Sequence, residues 1–209
     1  GAASMDRLNI IFEEKPEITD SKDAIDIKNM KGEIEFKNVS FKYPHSENYA
    51  VKNLNFKIPS DHSLAIVGRT GSGKSTIVSL LLRLYDIDEG EILIDGINIK
   101  DMTIKSLREN IGYVPQENFL FSDSIINNIA FSFDEEEKYS EDLIYNASRT
   151  AEVYDNIIEF PNKFETVLGE RGVTLSGGQK QRVSIARAII KDSSVLILDD
   201  SLSSVDTDT

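Results

Sequence analysis

The chain has no cysteine, which removes disulfide scaffolds and thiolate metal sites from consideration. It has no apolar run near the ~18 residues that a membrane-spanning helix requires, so any membrane contact has to go through a partner. Histidine is scarce: only His45 and His62 are present, both in polar, turn-like contexts that read as surface positions. Basic residues are outnumbered, 23 Lys and Arg against 36 Asp and Glu. The resulting formal charge of −13 opposes non-specific attraction to nucleic acid or anionic lipid, so no nucleic-acid partner is expected. No internal repeat or low-complexity tract is visible, and 209 residues suit one domain with a sizeable core.

Against these absences stands one dense motif. Gly68-Arg69-Thr70-Gly71-Ser72-Gly73-Lys74-Ser75 fits the phosphate-loop pattern G-x-x-x-x-G-K-[ST]. Upstream, Ser63-Leu64-Ala65-Ile66-Val67 is a short apolar run of the kind buried in a parallel sheet. Downstream, Thr76 to Leu84 has apolar residues at helical spacing. A strand, a Gly-rich turn and a helix together aim backbone N–H groups and a helix N-terminus at phosphate oxygens. The pattern therefore implies ATP binding. Gly71 and Gly73 let the backbone approach, Lys74 reaches the β- and γ-phosphates, the Ser75 hydroxyl ligates Mg²⁺, and Thr76 is assigned to the α-phosphate. A second buried-strand run, Val195-Leu196-Ile197-Leu198, ends in Asp199-Asp200. Its first carboxylate, Asp199, is the expected Mg²⁺ ligand of a phosphate-loop protein, on a strand expected beside Ser63–Val67.

About a hundred residues beyond the phosphate loop lies Leu175-Ser176-Gly177-Gly178-Gln179. Read locally, Ser176 is an N-cap ahead of the amphipathic run Val183, Ala186, Ile189 and Ile190, and such a helix start also offers free N–H groups to an anion. With both motifs in this order, the chain resembles the nucleotide-binding domain of an ABC transporter, over about residues 32–209. The resemblance implies an α/β fold: a phosphate-loop ATPase with a mostly parallel core sheet flanked by helices, an antiparallel β subdomain and an α-helical subdomain at about 118–174. It implies that Tyr43 stacks on adenine, although Tyr43 alone reads as a packed strand aromatic. It assigns Gln116, closing Ile111-Gly112-Tyr113-Val114-Pro115-Gln116, to the Mg²⁺ and attacking-water region and to the link with a membrane domain.

By the same resemblance Leu175–Gln179 is the signature that binds ATP held by a second nucleotide-binding domain, and Ser203, Ser204 and Asp206 belong to a loop crossing that dimer interface. Thr166-Val167-Leu168-Gly169-Glu170-Arg171-Gly172 is similar to a segment found in exporters, which points to a transmembrane exporter partner and to the cytoplasmic face of a membrane. The alternatives are a soluble ABC ATPase acting on nucleic acid or ribosomes, and a regulatory module that binds ATP without hydrolysing it.

Two departures from the family pattern bear on chemistry. Asp200 stands where the family has a catalytic glutamate. Asp and Glu differ little in intrinsic pKa, about 3.9 against about 4.3, so the difference is one of reach. A carboxylate misplaced by about 1 Å can slow a reaction on the order of 100-fold. The expectation is a slow site in a heterodimeric exporter. The second departure is that the family's switch histidine, which follows the interface loop, has no counterpart before Thr209, so a C-terminally truncated domain is expected. At the other end Gly1–Ser4 reads as a cloning scar, and residues 6–31 as a helix end with Leu8, Ile10, Ile11 and Phe12 running into a charged linker from a membrane domain. Alternating strands are expected over 33–60 and at Glu91–Asp95, helices over Ser124–Ala130 and Glu141–Tyr154, and a solvated acidic loop at Asp134–Glu137.

Overall fold

The computed structural model describes Met5, Phe12 and residues 16–133, 139–169 and 175–199. Leu8, Ile10 and Ile11, the acidic run at 134–137, Glu170 to Gly172, Asp200 and the interface-loop residues Ser203, Ser204 and Asp206 lie outside the described residues. The chain divides into two compact units, residues 1–29 with 33–107, and residues 30–32 with 108–209.

The first unit is built on a four-stranded antiparallel sheet of order β2-β1-β3-β4. Its strands are β1 (Ile34–Phe41), β2 (Val51–Ile58), β3 (Glu89–Ile94) and β4 (Ile97–Asn98). Strict alternation would put Ile34 and Phe36 inside but turn Val39 and Phe41 outward. A bulge resolves the conflict. Asn38 takes φ +50°, the register with β2 shifts between Phe36 and Val39, and Val39 and Phe41 are buried with Ile34 and Phe36. Phe36 stacks on its cross-strand partner Phe56 at 4.5 Å between centroids. The helix α1 (Lys74–Leu81) follows the phosphate loop, and α2 (Ile104–Glu109) follows a 3₁₀ turn at Ile99–Asp101.

Residues 19–27, within the span expected as a linker, are fastened to this unit. Arg83 Nη2 donates to Thr19 O (3.0 Å), Ile104 N to Asp20 Oδ1 (2.7 Å), Ile25 N to Asp101 O (2.9 Å) and Ile27 N to Ser106 Oγ (2.9 Å).

The second unit holds a two-stranded parallel sheet, β5 (Ile111–Val114) beside β6 (Val195–Leu198), and a layer of helices. These are α3 (Ile125–Ala130), α4 (Glu141–Thr150), α5 (Tyr154–Ile158) and α6 (Gly177–Ile189). Ile125, Ile129, Ile144, Ile157, Phe164, Val183 and Ala186 form one buried cluster between them. Gly112 on β5 lets α6 approach, since a Cβ there would sit 2.5 Å from Ala188 O.

Two expectations are corrected. Ser63–Val67 is not a strand: the whole segment is exposed, with Leu64 at 48% and Val67 at 92%, and β6 pairs with β5 instead. An apolar run can supply strand propensity, but a strand exists only when a neighbour takes its N–H and C=O groups, and no described strand does so at 63–67. The helix expected from Glu141 to Tyr154 is two helices. It stops at Thr150 because Glu152 adopts φ +55°, and Arg182 Nη1 of α6 holds that turn by donating to Glu152 O at 2.9 Å. His45 and His62 are exposed, as expected.

Candidate nucleotide site

The phosphate loop is seated on the start of β2. Gly73 is the N-cap of α1, at φ +89°, and a Cβ there would meet Ala50 O at 2.6 Å and Val51 Cγ1 at 3.2 Å. Both facts demand glycine: the left-handed backbone disfavours any Cβ, and the Ala50 carbonyl just before β2 occupies its place. Because Gly73 offers no side-chain cap, the first N–H groups of α1 have no capping partner within the helix. No acidic residue stands in the first turn of α1, and the same is true of α6, whereas α4 carries Glu141 and Asp142 there. The starts of α2 and α3 also lack one, so the absence at α1 and α6 is compatible with an anion there without singling them out.

Within the loop Ser72 N donates to Arg69 O (3.1 Å), closing a turn that includes Thr70 and Gly71. Lys74 Nζ folds inward and donates to Gly68 O (2.9 Å) and Arg69 O (3.1 Å). Its ammonium thus lies over the turn, satisfied only by carbonyls that phosphate oxygens can replace. Ser75 is exposed at the start of α1, while Thr76 is buried and hydrogen-bonded through Oγ1 to Tyr43 Oη at 3.0 Å. Tyr43 lies just beyond the end of β1, 36% exposed, with its ring edge-on to Phe41 (5.0 Å) and Tyr85 (5.2 Å). This braces one aromatic face at the unit's surface beside α1. Tyr85 had no sequence signal, because it follows α1 with no motif around it.

In the second unit Asp199 prolongs the β5–β6 ladder, its N–H donating to Val114 O at 3.0 Å. Tyr113 and Ile197 are register partners, so the two-residue period puts Tyr113, Ile197 and Asp199 on one face. Burial, and then the charge and hydrogen bond of Asp199, push the Tyr113 phenol above its usual value. Gln116 is exposed just past β5.

The signature residues behave as the local reading requires. Leu175 is buried, Ser176 Oγ accepts from Gln179 N (3.2 Å), and Gln179 Oε1 accepts from Ser176 N (3.0 Å), a complete capping box. Gly177 opens α6, and a Cβ there meets no described atom within 4 Å.

The residues fit a magnesium nucleotide by their chemistry. No cluster of three or more His, Asp or Glu exists among the described residues, so no all-protein cage is offered. Mg²⁺ suits that arrangement, since it is commonly held by one or two protein oxygens together with substrate phosphates and water. Ser75 in the first unit and Asp199 in the second are each hard oxygen donors of this kind.

The family comparison decides between a generic phosphate-loop fold and something narrower. A model of the family described as ABC transporter matches residues 51–203. The chain belongs to the ABC transporter family. Its fold is the ABC ATPase fold, with an antiparallel β subdomain and helices, and it is the family's ATP-binding domain. It is 46% identical over all of its length to the ATP-dependent lipid A-core flippases of Haemophilus influenzae and of Escherichia coli K12, spanning 35% of each. It is also similar to a solved bacterial Atm1-family ABC exporter with ATP bound, at TM-score 0.91 and 38% identity, covering 99% of this chain and 36% of that one. The chain therefore spans about a third of the length of these relatives. Among the described residues no helix is long and apolar enough to cross a membrane.

Proposed function

We propose that the chain is the ATP-hydrolysing domain of an exporter, working at the cytoplasmic face of a membrane with a transmembrane domain and a second nucleotide-binding domain. The observation that carries this reading is the glycine-lined loop with Lys74 folded over it, together with the capped helix start at Ser176–Gln179, on a chain similar to an ABC exporter over 99% of its length.

In this reading Gly68 to Thr76 wrap the triphosphate. Lys74 exchanges its two loop carbonyls for β- and γ-phosphate oxygens, and Thr76 lies nearest the α-phosphate with Tyr43 bracing its hydroxyl. Tyr43 presents its ring to adenine. Bound Mg²⁺ would neutralise charge developing on the transferred phosphoryl group, held through Ser75, Asp199 and the Gln116 region. The partner's Ser176–Gln179 helix start closes over the γ-phosphate, two ATP molecules being sandwiched head to tail, and Ser203, Ser204 and Asp206 cross the same interface. Gln116 carries the change to the membrane domain. Asp200 polarises the attacking water from too far back, which makes this site slow and favours a partner with a competent glutamate. Its similarity to lipid A-core flippases makes an amphipathic lipid the class of cargo to test first.

Equilibrium binding of ATP, followed by turnover of Mg-ATP in the full-length protein, tests this. ATP binding should weaken at least tenfold in Lys74→Ala, and Asp200→Glu should raise turnover by on the order of 100-fold. Wild-type binding unaffected by Lys74→Ala would refute the site. Equal turnover in the Asp200→Glu variant would refute the slow-site reading alone, leaving a homodimer as the simpler arrangement.

A further inference from the structure

Arg187 lies on α6, the helix that begins with the signature glycines, yet its side chain is spent on a different segment. Nη1 donates to Phe119 O (3.0 Å), Nε to Asn128 O (2.7 Å) and Nη2 to Asn128 Oδ1 (2.9 Å). Its own carbonyl accepts from Ser132 Oγ at 2.7 Å, just beyond α3. The guanidinium also lies over the rings of Phe121 and Phe131, at 5.6 and 5.7 Å. Asn128, 1% exposed, completes the knot. Its Nδ2 donates to Phe121 O and Ser124 O, both at 3.0 Å, and its Oδ1 accepts from Phe121 N at 2.8 Å.

All the acceptors of Arg187 are neutral, and among the described residues no carboxylate pairs with it. Burial lowers its pKa to about 10, so the charge is held against a desolvation cost. A half-buried position that needed only volume is filled at lower cost by Met or Leu. What Arg supplies instead is a rigid fork that fixes three oxygens at once. Those oxygens belong to the segment that leaves Gln116 and to α3.

We propose that Arg187 is a positioning residue that locks the segment following Gln116 to the signature helix, so that the two shift as one body when nucleotide binds and leaves. The proposal rests on the exporter reading for its nucleotide-linked consequence, but the lock itself belongs to the second unit. Force arriving at Gln116 from a membrane domain would reach Ser176–Gln179 through this knot, without passing through the β5–β6 sheet.

The test is amide hydrogen exchange on the full-length protein, wild type against Arg187→Lys, which keeps the charge and stem but loses the fork, and Arg187→Met, which keeps only the volume. Arg187→Lys should speed exchange at the Phe121 amide and in the first turn of α6, at Gln179 and Lys180, together and with or without ATP. Turnover should fall about tenfold while ATP affinity at the phosphate loop stays unchanged, with Arg187→Met the more severe. Loosening confined to residues 119–128, with the α6 start untouched, would mean Arg187 only packs its own loop and would overturn the lock. Should wild type show no response to ATP, the exporter reading fails, and the nucleotide-free exchange pattern still decides the lock. Should Arg187→Met unfold, Arg187→Lys carries the result.

Discussion

Gly73 and Gly71 stand two residues apart in the phosphate loop, both with positive φ, +89° and +78°. A helix-start motif alone would treat them alike. The structure separates them: a Cβ on Gly73 runs into Ala50 O at 2.6 Å, whereas a Cβ on Gly71 meets no described atom within 4 Å. Placing Ala in the left-handed region costs about 1–2 kcal/mol, which both variants incur. Gly73→Ala adds a clash with the backbone carbonyl of Ala50, a residue tied to β1 by its N–H to Phe41 O (2.9 Å), and overpacking of this kind costs about 1–3 kcal/mol more. The expected loss of stability is therefore about 2–5 kcal/mol for Gly73→Ala against about 1–2 kcal/mol for Gly71→Ala. In a domain of this size each kcal/mol moves the midpoint by about 2–4 °C. Thermal melts without nucleotide read the difference free of any contact with phosphate. Gly73→Ala should melt clearly below Gly71→Ala. Equal melting points would mean that the loop is not seated on β2, and the geometry given for Lys74 would fall with it.

Other outcomes follow from single contacts. Asp123 accepts from Ser124 N (2.6 Å) and Asn127 Nδ2 (2.9 Å) at the start of α3. Those bonds, the Asn127 side chain first, hold its carboxyl below the ordinary value of 3.8. Its stabilisation is thus complete above that value and is lost as pH falls through the depressed folded-state pKa. Asp123→Asn should flatten stability against pH below about 4 and leave the neutral-pH slope unchanged, which urea titrations at several pH values check. Ser176→Ala removes the cap on Gln179 N and should cost about 0.5–2 kcal/mol of stability, read by denaturant unfolding. Tyr43→Phe removes the bond to Thr76 Oγ1 but keeps the ring. It should lower stability by about 1 kcal/mol while retaining most ATP affinity, whereas Tyr43→Ala should lose both.

The parts legible in the sequence were those written in adjacent residues. The phosphate loop, the cap at Ser176 with Gln179 three residues on, the strand ending at Asp199 and the alternating runs of β1 and β2 all depend on local spacing. What escaped depends on partners far along the chain. Ser63–Val67 has the composition of a strand, but pairing is a property of two segments, and the second was not visible from the first. The turn at Glu152 has no glycine or proline to announce it, and is held by Arg182, 30 positions away. Arg187 and Asn128 are separated by 59 positions and carry no motif, so only the fold reveals that they meet. Tyr43 alone reads as a packed strand aromatic, and only the resemblance sets it on adenine; its hydroxyl bond to Thr76 and its brace on Tyr85 are tertiary facts.

The claim on which the functional account turns is that the α6 start acts on nucleotide held by another copy or partner. Gly177→Ala isolates it, because the added methyl has free space within the described chain and helix propensity favours Ala over Gly by about 1 kcal/mol. Steady-state hydrolysis of Mg-ATP by the full-length protein is the measurement. The melting point should be unaltered or raised, ATP binding at the phosphate loop unaltered, and turnover lost by at least tenfold. Turnover equal to wild type would show that no phosphate approaches Gly177, and would contradict the head-to-tail arrangement.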